Sequence, residues 1–224
     1  VGILTGISSS SDEAEYVNAT SIKTVQRFAQ IHNIELPKTQ FYSNDLKIKY
    51  GFFDNFAVNI SCFNRDANGV LEKYGSFGTG VFINPNDVIT NAHVVRNCSE
   101  ITVSTKDNKY QGQIIATLPE KQGDLAFIKT NARRANYAFM QDDNLFVRQK
   151  IFFPSFTNQT GIFKKEESNI TFFGNKNHGL EISLPKDSEV IFGAPVFDNQ
   201  GSLVALMAMN LNYNLEEKLV IATP

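Results

Sequence analysis

Two rhythms of apolar residues divide the chain. After a polar cluster at residues 8–12, Ala14, Val17, Ile22, Val25, Phe28 and Ala29 recur at spacings of three to five, the period of one helical face. This predicts an amphipathic helix over residues 12–33, with Pro37 beyond its end. From about residue 50 the apolar residues come instead in short runs of Val, Ile and Phe, punctuated by Gly, Asn, Asp and Pro. That pattern predicts an antiparallel β-barrel or sandwich. The expected strands cover 57–63, 80–83, 87–90, 100–104, 111–118, 125–129, 150–153, 170–173, 180–184, 195–197, 203–209 and 218–221. No internal repeat stands out.

Two turn signals have the same form, Asp66-Ala-Asn-Gly69 and Asp198-Asn-Gln-Gly201. In each, Gly supplies the positive φ of a tight hairpin loop. The polar stretch 131–144 lies between two strand-rich halves and reads as the crossing between two β units.

The chain has 224 residues, enough for a substantial core. Its formal charge of −2 and scattered basic pairs leave no electrostatic footprint for nucleic acid. No apolar run reaches the roughly 18 residues of a membrane-spanning helix, so membrane insertion is not expected. Phe is abundant at 19 and Trp absent, which points to no chemistry. Asn-x-Ser/Thr triplets begin at Asn18, Asn59, Asn97, Asn158 and Asn169, but in so Asn-rich a chain such matches arise by chance. The sequence begins at Val1 without a basic n-region, so any signal peptide is expected to have been removed.

The most specific segment runs from Gly75-Ser-Phe-Gly-Thr-Gly80 through a hairpin at Asn84-Pro-Asn-Asp87 to Thr90-Asn-Ala-His-Val-Val95. It closely resembles the trypsin-like serine proteases, within them the HtrA or Deg branch, in which this His is the general base. That resemblance makes His93 the base position. It implies an Asp downstream at the head of a strand, and Gly123-Asp-Leu-Ala-Phe-Ile-Lys129 offers Asp124, whose carboxylate would fix the imidazole tautomer. It also implies a Ser in a Gly-x-Ser-Gly-Gly-Pro turn. Here Val190-Ile-Phe-Gly-Ala-Pro195 falls in register and puts Phe192 at the nucleophile position.

A benzyl side chain has no oxygen with which to attack a carbonyl. The family's oxyanion hole uses the N–H groups of the Ser and of the Gly two residues earlier, and that Gly position is Val190. The turn Val190 to Gly193 therefore reads as a degenerate oxyanion turn, since a β-branched residue disfavours the unusual backbone required. Loss of the Ser alone costs about 10⁶-fold in turnover in serine proteases. The expectation is an inactive homologue, a pseudoprotease. The alternative is a hydrolase using an unusual nucleophile, Ser188, four residues before Phe192.

Cys62 in the first barrel strand and Cys98 after the His93 turn would close a loop worth about 3–4 kcal/mol if bridged, and the sequence leaves open whether they are. No metal site is visible, because His32, His93 and His178 are scattered, and Gly78-Thr-Gly80 is too short to cradle phosphate. No cofactor is expected.

The resemblance implies an all-β fold of two packed antiparallel six-stranded barrels. With the helix, the expected division is an N-terminal helical extension over 1–50, a first barrel over 51–135 and a second over 136–224. It further implies that 218–224 forms the last barrel strand and that a PDZ domain commonly follows. The function expected is a non-catalytic scaffold binding other proteins in the bacterial periplasm. An assembly such as a flagellar motor disc is an example of where such a domain could serve, though no residue points to it. Neither the partner nor the oligomeric state is legible.

Overall fold

The structure, a computed structural model, describes residues 15–36, 52–72, 75–119, 122–134, 136–140, 145–156, 163–173, 179–184 and 192–208. It opens with strand β1 (Glu15–Ser21), which runs directly into helix α1 (Ile22–Ile31). Strands β2 (Ala57–Phe63), β3 (Ser76–Phe82), β4 (Asp87–Thr90), β5 (Glu100–Ser104), β6 (Lys109–Leu118) and β7 (Leu125–Thr130) follow. They close barrel 1 in the order β2-β3-β4-β7-β6-β5. The remaining strands are β8 (Lys150–Phe156), β9 (Phe163–Phe173), β10 (Gly179–Leu184), β11 (Pro195–Asp198) and β12 (Leu203–Ala208). With β1 they close barrel 2 in the order β1-β10-β9-β8-β11-β12.

The all-β, two-barrel expectation therefore holds, and eleven of the twelve strands expected from the sequence have their counterpart here. The twelfth, 218–221, lies outside the described residues. Most differences are extensions: β3 begins at Ser76 rather than residue 80, and β9 at Phe163 rather than residue 170.

The N-terminal expectation needs correction. Residues 12–33 are not one helix, because α1 covers only Ile22–Ile31 and residues 15–21 are a strand paired with β10 on one side and β12 on the other. The division into an extension over 1–50 and a second barrel over 136–224 fails with it, since β1 is a wall of barrel 2. Two ladders of antiparallel partners outweigh a marginal helical period, a usual outcome for short segments whose conformation tertiary pairing decides.

Helix α1 presents Ile22, Val25, Phe28 and Ala29 to the interior and stops in a Schellman arrangement. Asn33 takes a left-handed φ of +53°, its N–H donates to Gln30 O, and the Ile34 N–H donates to Ala29 O. The buried face seals a core shared by both barrels, in which Phe28 stacks on Phe127 of β7 with centroids 5.3 Å apart. Phe52, Phe53 and Phe56 meet Phe197 of β11 in the same core. A good part of the Phe content is thus spent on the barrel junction, where each ring removes a large apolar area from water.

The two Asp-x-x-Gly turns fold alike. Asp66 Oδ1 accepts from the N–H groups of Asn68 and Val70, and Asp198 Oδ1 accepts from those of Gln200 and Ser202. Gly69 and Gly201 have φ of +79° and +83°. Between the barrels the chain makes the expected crossing: Ala138 N–H donates to Phe82 O of barrel 1, and Phe139 O accepts from Leu203 N–H of barrel 2.

Candidate functional site

The site is assembled where barrel 1 meets the turn that precedes β11. After β4 the chain forms a short 3₁₀ turn, Ala92–Val95, whose Val94 and Val95 are buried in the barrel 1 core while His93 projects from it. Ser76 Oγ donates to Val94 O and pins this turn to β3. Asp124 stands just before β7, which pairs with β4, so the sheet brings the two residues together across 31 positions of sequence.

Their contact is bidentate. His93 Nδ1 meets Asp124 Oδ2 at 2.6 Å, and His93 N–H donates to Asp124 Oδ1 at 3.0 Å. Asp124 has a φ of +52°, a region costly for most non-glycine residues and better tolerated by Asp. The strain is sustained by its neighbours: Asp124 O accepts from Ala92 N–H and from Asn91 Nδ2. One step earlier, Thr20 Oγ1 at the end of β1 donates to Gly123 O at 2.8 Å. The sequence reading missed Asn91 and Thr20. Asn91 lay inside the quoted Thr90-Asn-Ala-His stretch, whereas Thr20 was concealed in the expected helix.

Phe192 closes the site from the other barrel. Its ring meets the His93 imidazole edge to face, with centroids 5.0 Å apart and planes at 79°. Its carbonyl accepts from Thr79 N–H at 2.8 Å, and Gly193 N–H donates to Met207 O, so the turn is fastened to β3 and β12 together. Gly193 has a φ of +80°, and a Cβ there would lie 2.0 Å from Thr79 O. No larger residue fits. Thr79 O also accepts from Thr90 Oγ1 at 2.6 Å, which completes the support beneath the turn.

Among the described residues His93 Nε2 is buried without a hydrogen-bond partner. A buried polar atom left unpaired costs about 1–3 kcal/mol. The arrangement holds an oriented imidazole with the Phe192 ring beside it. Val190 and Ser188 lie outside the described residues, as does His178. Cys62 and Cys98 are joined in a disulfide with Cα atoms 5.4 Å apart, which ties the end of β2 to the chain leaving the His93 turn. Among the described residues no cluster of His, Cys, Asp or Glu has the grouping of a metal site, and no helix is long and apolar enough to cross a membrane.

The family follows from these features together with direct comparison. The model of the trypsin-like peptidase domain matches residues 78–206, more than half of the chain. This protein therefore belongs to the trypsin-like peptidase domain family. Among solved structures it is similar to the serine endoprotease from Yersinia pestis, at 17% identity and a TM-score of 0.57, over 76% of this chain and 59% of that one. It is similar to the Rv3671c protease in an inactive form, at 17% identity and a TM-score of 0.52, over 72% of this chain and 81% of that one. A serine-to-alanine mutant of Rv3671c from M. tuberculosis H37Rv, also in an inactive form, matches at 15% identity and a TM-score of 0.53, over 78% and 92% of the two chains. These likenesses show the fold. The chain spans little more than half the length of the Yersinia enzyme. No curated protein sequence matches it significantly.

Proposed function

We propose that this is a non-catalytic member of the trypsin-like family, retained as a module that binds other proteins. The observation that carries the reading is the Phe192 ring lying against His93, in the place where the base of a serine protease needs an oxygen-bearing nucleophile. The orphaned Nε2 supports it, since a base with no proton to take there can do no general-base work at that position. On the resemblance alone we place the domain in the bacterial periplasm.

A fluorophosphonate probe with unfolded casein as substrate tests the reading. The expected result is no labelling and no cleavage above buffer. Labelling that disappears in Ser188→Ala would overturn it in favour of a serine hydrolase. Phe192→Ser alone is expected to leave casein intact, because a β-branched residue, Val190, would still stand at the Gly position of the family's oxyanion turn. Val190→Gly, Ile191→Asn and Phe192→Ser together have the better prospect of cleavage. Cleavage by the single variant would show that only the hydroxyl was missing.

A further inference from the structure

The hydrogen bonds that set the backbone of Asp124 come from both barrels. Barrel 1 holds the peptide plane that leaves this residue, since Ala92 N–H and Asn91 Nδ2 both donate to Asp124 O. The peptide plane that enters it is held at two points. Asp124 N–H donates to Pro119 O at 3.2 Å, and Gly123 O accepts from Thr20 Oγ1 of β1 at 2.8 Å. The φ of +52° is the torsion between these two planes. A left-handed conformation at a non-glycine residue persists only where its surroundings over-determine it, and here the grip on Gly123 O comes from a strand of barrel 2.

Thr20 is well placed to hold that grip. It is fully buried, and it pairs with Gly179 of β10 on one side and Leu206 of β12 on the other. Two ladders therefore fix its Cα, and a β-branched side chain has few rotamers left to choose from. Gly123 fits closely beneath it. Its φ is +137°, and a Cβ there would lie 3.0 Å from Leu118 Cδ2 and 3.1 Å from Thr24 Cγ2 of α1. The end of β1 and the first turn of α1 thus stand directly on the turn that presents Asp124.

We propose that Thr20 is a positioning residue for the His93–Asp124 pair, its hydroxyl being the bond through which barrel 2 holds a site whose two members belong to barrel 1. Without the hydroxyl, the carbonyl of a buried residue, Gly123, loses its donor. The entering plane can then turn, and φ can relax from the left-handed region. The carboxylate loses its fixed aim at His93 Nδ1 and at the His93 backbone N–H together, because one side chain makes both contacts. The junction of the barrels, rather than barrel 1 alone, then sets the direction of the imidazole.

Nitrogen-15 NMR of the imidazole ring in the full chain tests the assignment, since the two ring nitrogens report which of them carries the proton. The measurement is made in mildly alkaline solution, where an ordinary imidazole is neutral. The unsubstituted protein is expected to show His93 as the Nδ1–H tautomer, because an ionised carboxylate can only accept. Thr20→Val keeps the branched shape and removes the hydroxyl. It is expected to lower the ratio of the Nδ1–H to the Nε2–H form at least about threefold, the scale of one net hydrogen bond. Thr20→Ala removes the same hydroxyl without placing a methyl against Gly123 O, and it should lower the ratio as far. Thr20→Ser keeps the donor and should restore the ratio. Val25→Ala opens a cavity in the buried face of α1 and controls for lost stability; it should leave the ratio unchanged. An unchanged ratio in Thr20→Val or Thr20→Ala would overturn the proposal. So would a fall in Thr20→Ser or Val25→Ala as large as in Thr20→Val, which would reduce the effect to general loosening. None of these readouts depends on whether the domain is catalytic.

Discussion

Barrel 1 is built from six strands consecutive in the chain, whereas barrel 2 is closed only when β1 crosses to pair with β10, register partners such as Val17 and Ile182 lying far apart in sequence. The contributions to the site differ in the same way. Barrel 1 supplies His93 and Asp124, held by a dense set of hydrogen bonds, while barrel 2 supplies the turn with Phe192. The local, consecutive barrel has kept the geometry of a protease site. Phe192, on which the proposed loss of catalysis rests, sits in the turn that leads into the barrel assembled from distant segments.

The comparison can be broken most severely at the point where the barrels touch. Gly193→Ala places a Cβ against Thr79 O, and we expect a loss of about 3–5 kcal/mol or outright failure to fold, read by urea denaturation. A loss below about 1 kcal/mol would mean that the turn of barrel 2 is not locked onto β3.

A smaller effect should stay within barrel 1. Removing the disulfide with Cys98→Ser opens a 36-residue separation and should cost about 3–4 kcal/mol in thermal unfolding. Hydrogen exchange should show the loosening in β2 and the His93 turn, with β11 and β12 little changed. Non-reducing mass spectrometry of protein made in an oxidising compartment should find Cys62 and Cys98 bridged, and two free thiols there would remove the bridge from the account.

The matched turns give a finer test. Asp198 is only 2% exposed, whereas Asp66 is on the surface. Asp198→Ala leaves two N–H groups short of a partner in a dry setting and should cost about 2–3 kcal/mol, against about 1 kcal/mol or less for Asp66→Ala. Equal losses would show that burial does not separate the two barrels' turns. The smallest change expected is Gly69→Ala, at about 1 kcal/mol, because its φ matches that of Gly193 but open space surrounds it.

Much of this was legible in the sequence. Strands such as Ala57–Phe63 and Asp87–Thr90 are bounded where alternation and turn residues bound them. The Thr90-Asn-Ala-His stretch located one half of the site and Gly123-Asp124 the other. What sequence reading lost was β1, since Val17 and Ala14 fit a helical period by chance and the partners that make 15–21 a strand are remote. Thr20 was lost with it. The position of the Phe192 ring could be reasoned only as far as its register; its edge-to-face seat on His93 depends on Gly193 approaching Thr79, a contact between barrels that no local pattern records.

The bond between His93 Nδ1 and Asp124 Oδ2 also gives the molecule an internal reporter. At 2.6 Å, with the His93 side chain 16% exposed and the Asp124 side chain 4%, the proton between them is sheltered from exchange with solvent. Short imidazole–carboxylate contacts shift such a proton far downfield, clear of every amide. A one-dimensional spectrum of unlabelled protein would therefore display it as a single isolated line. The width of that line would report how fast the sheltered proton exchanges with solvent, a local rate that can be followed without any substrate.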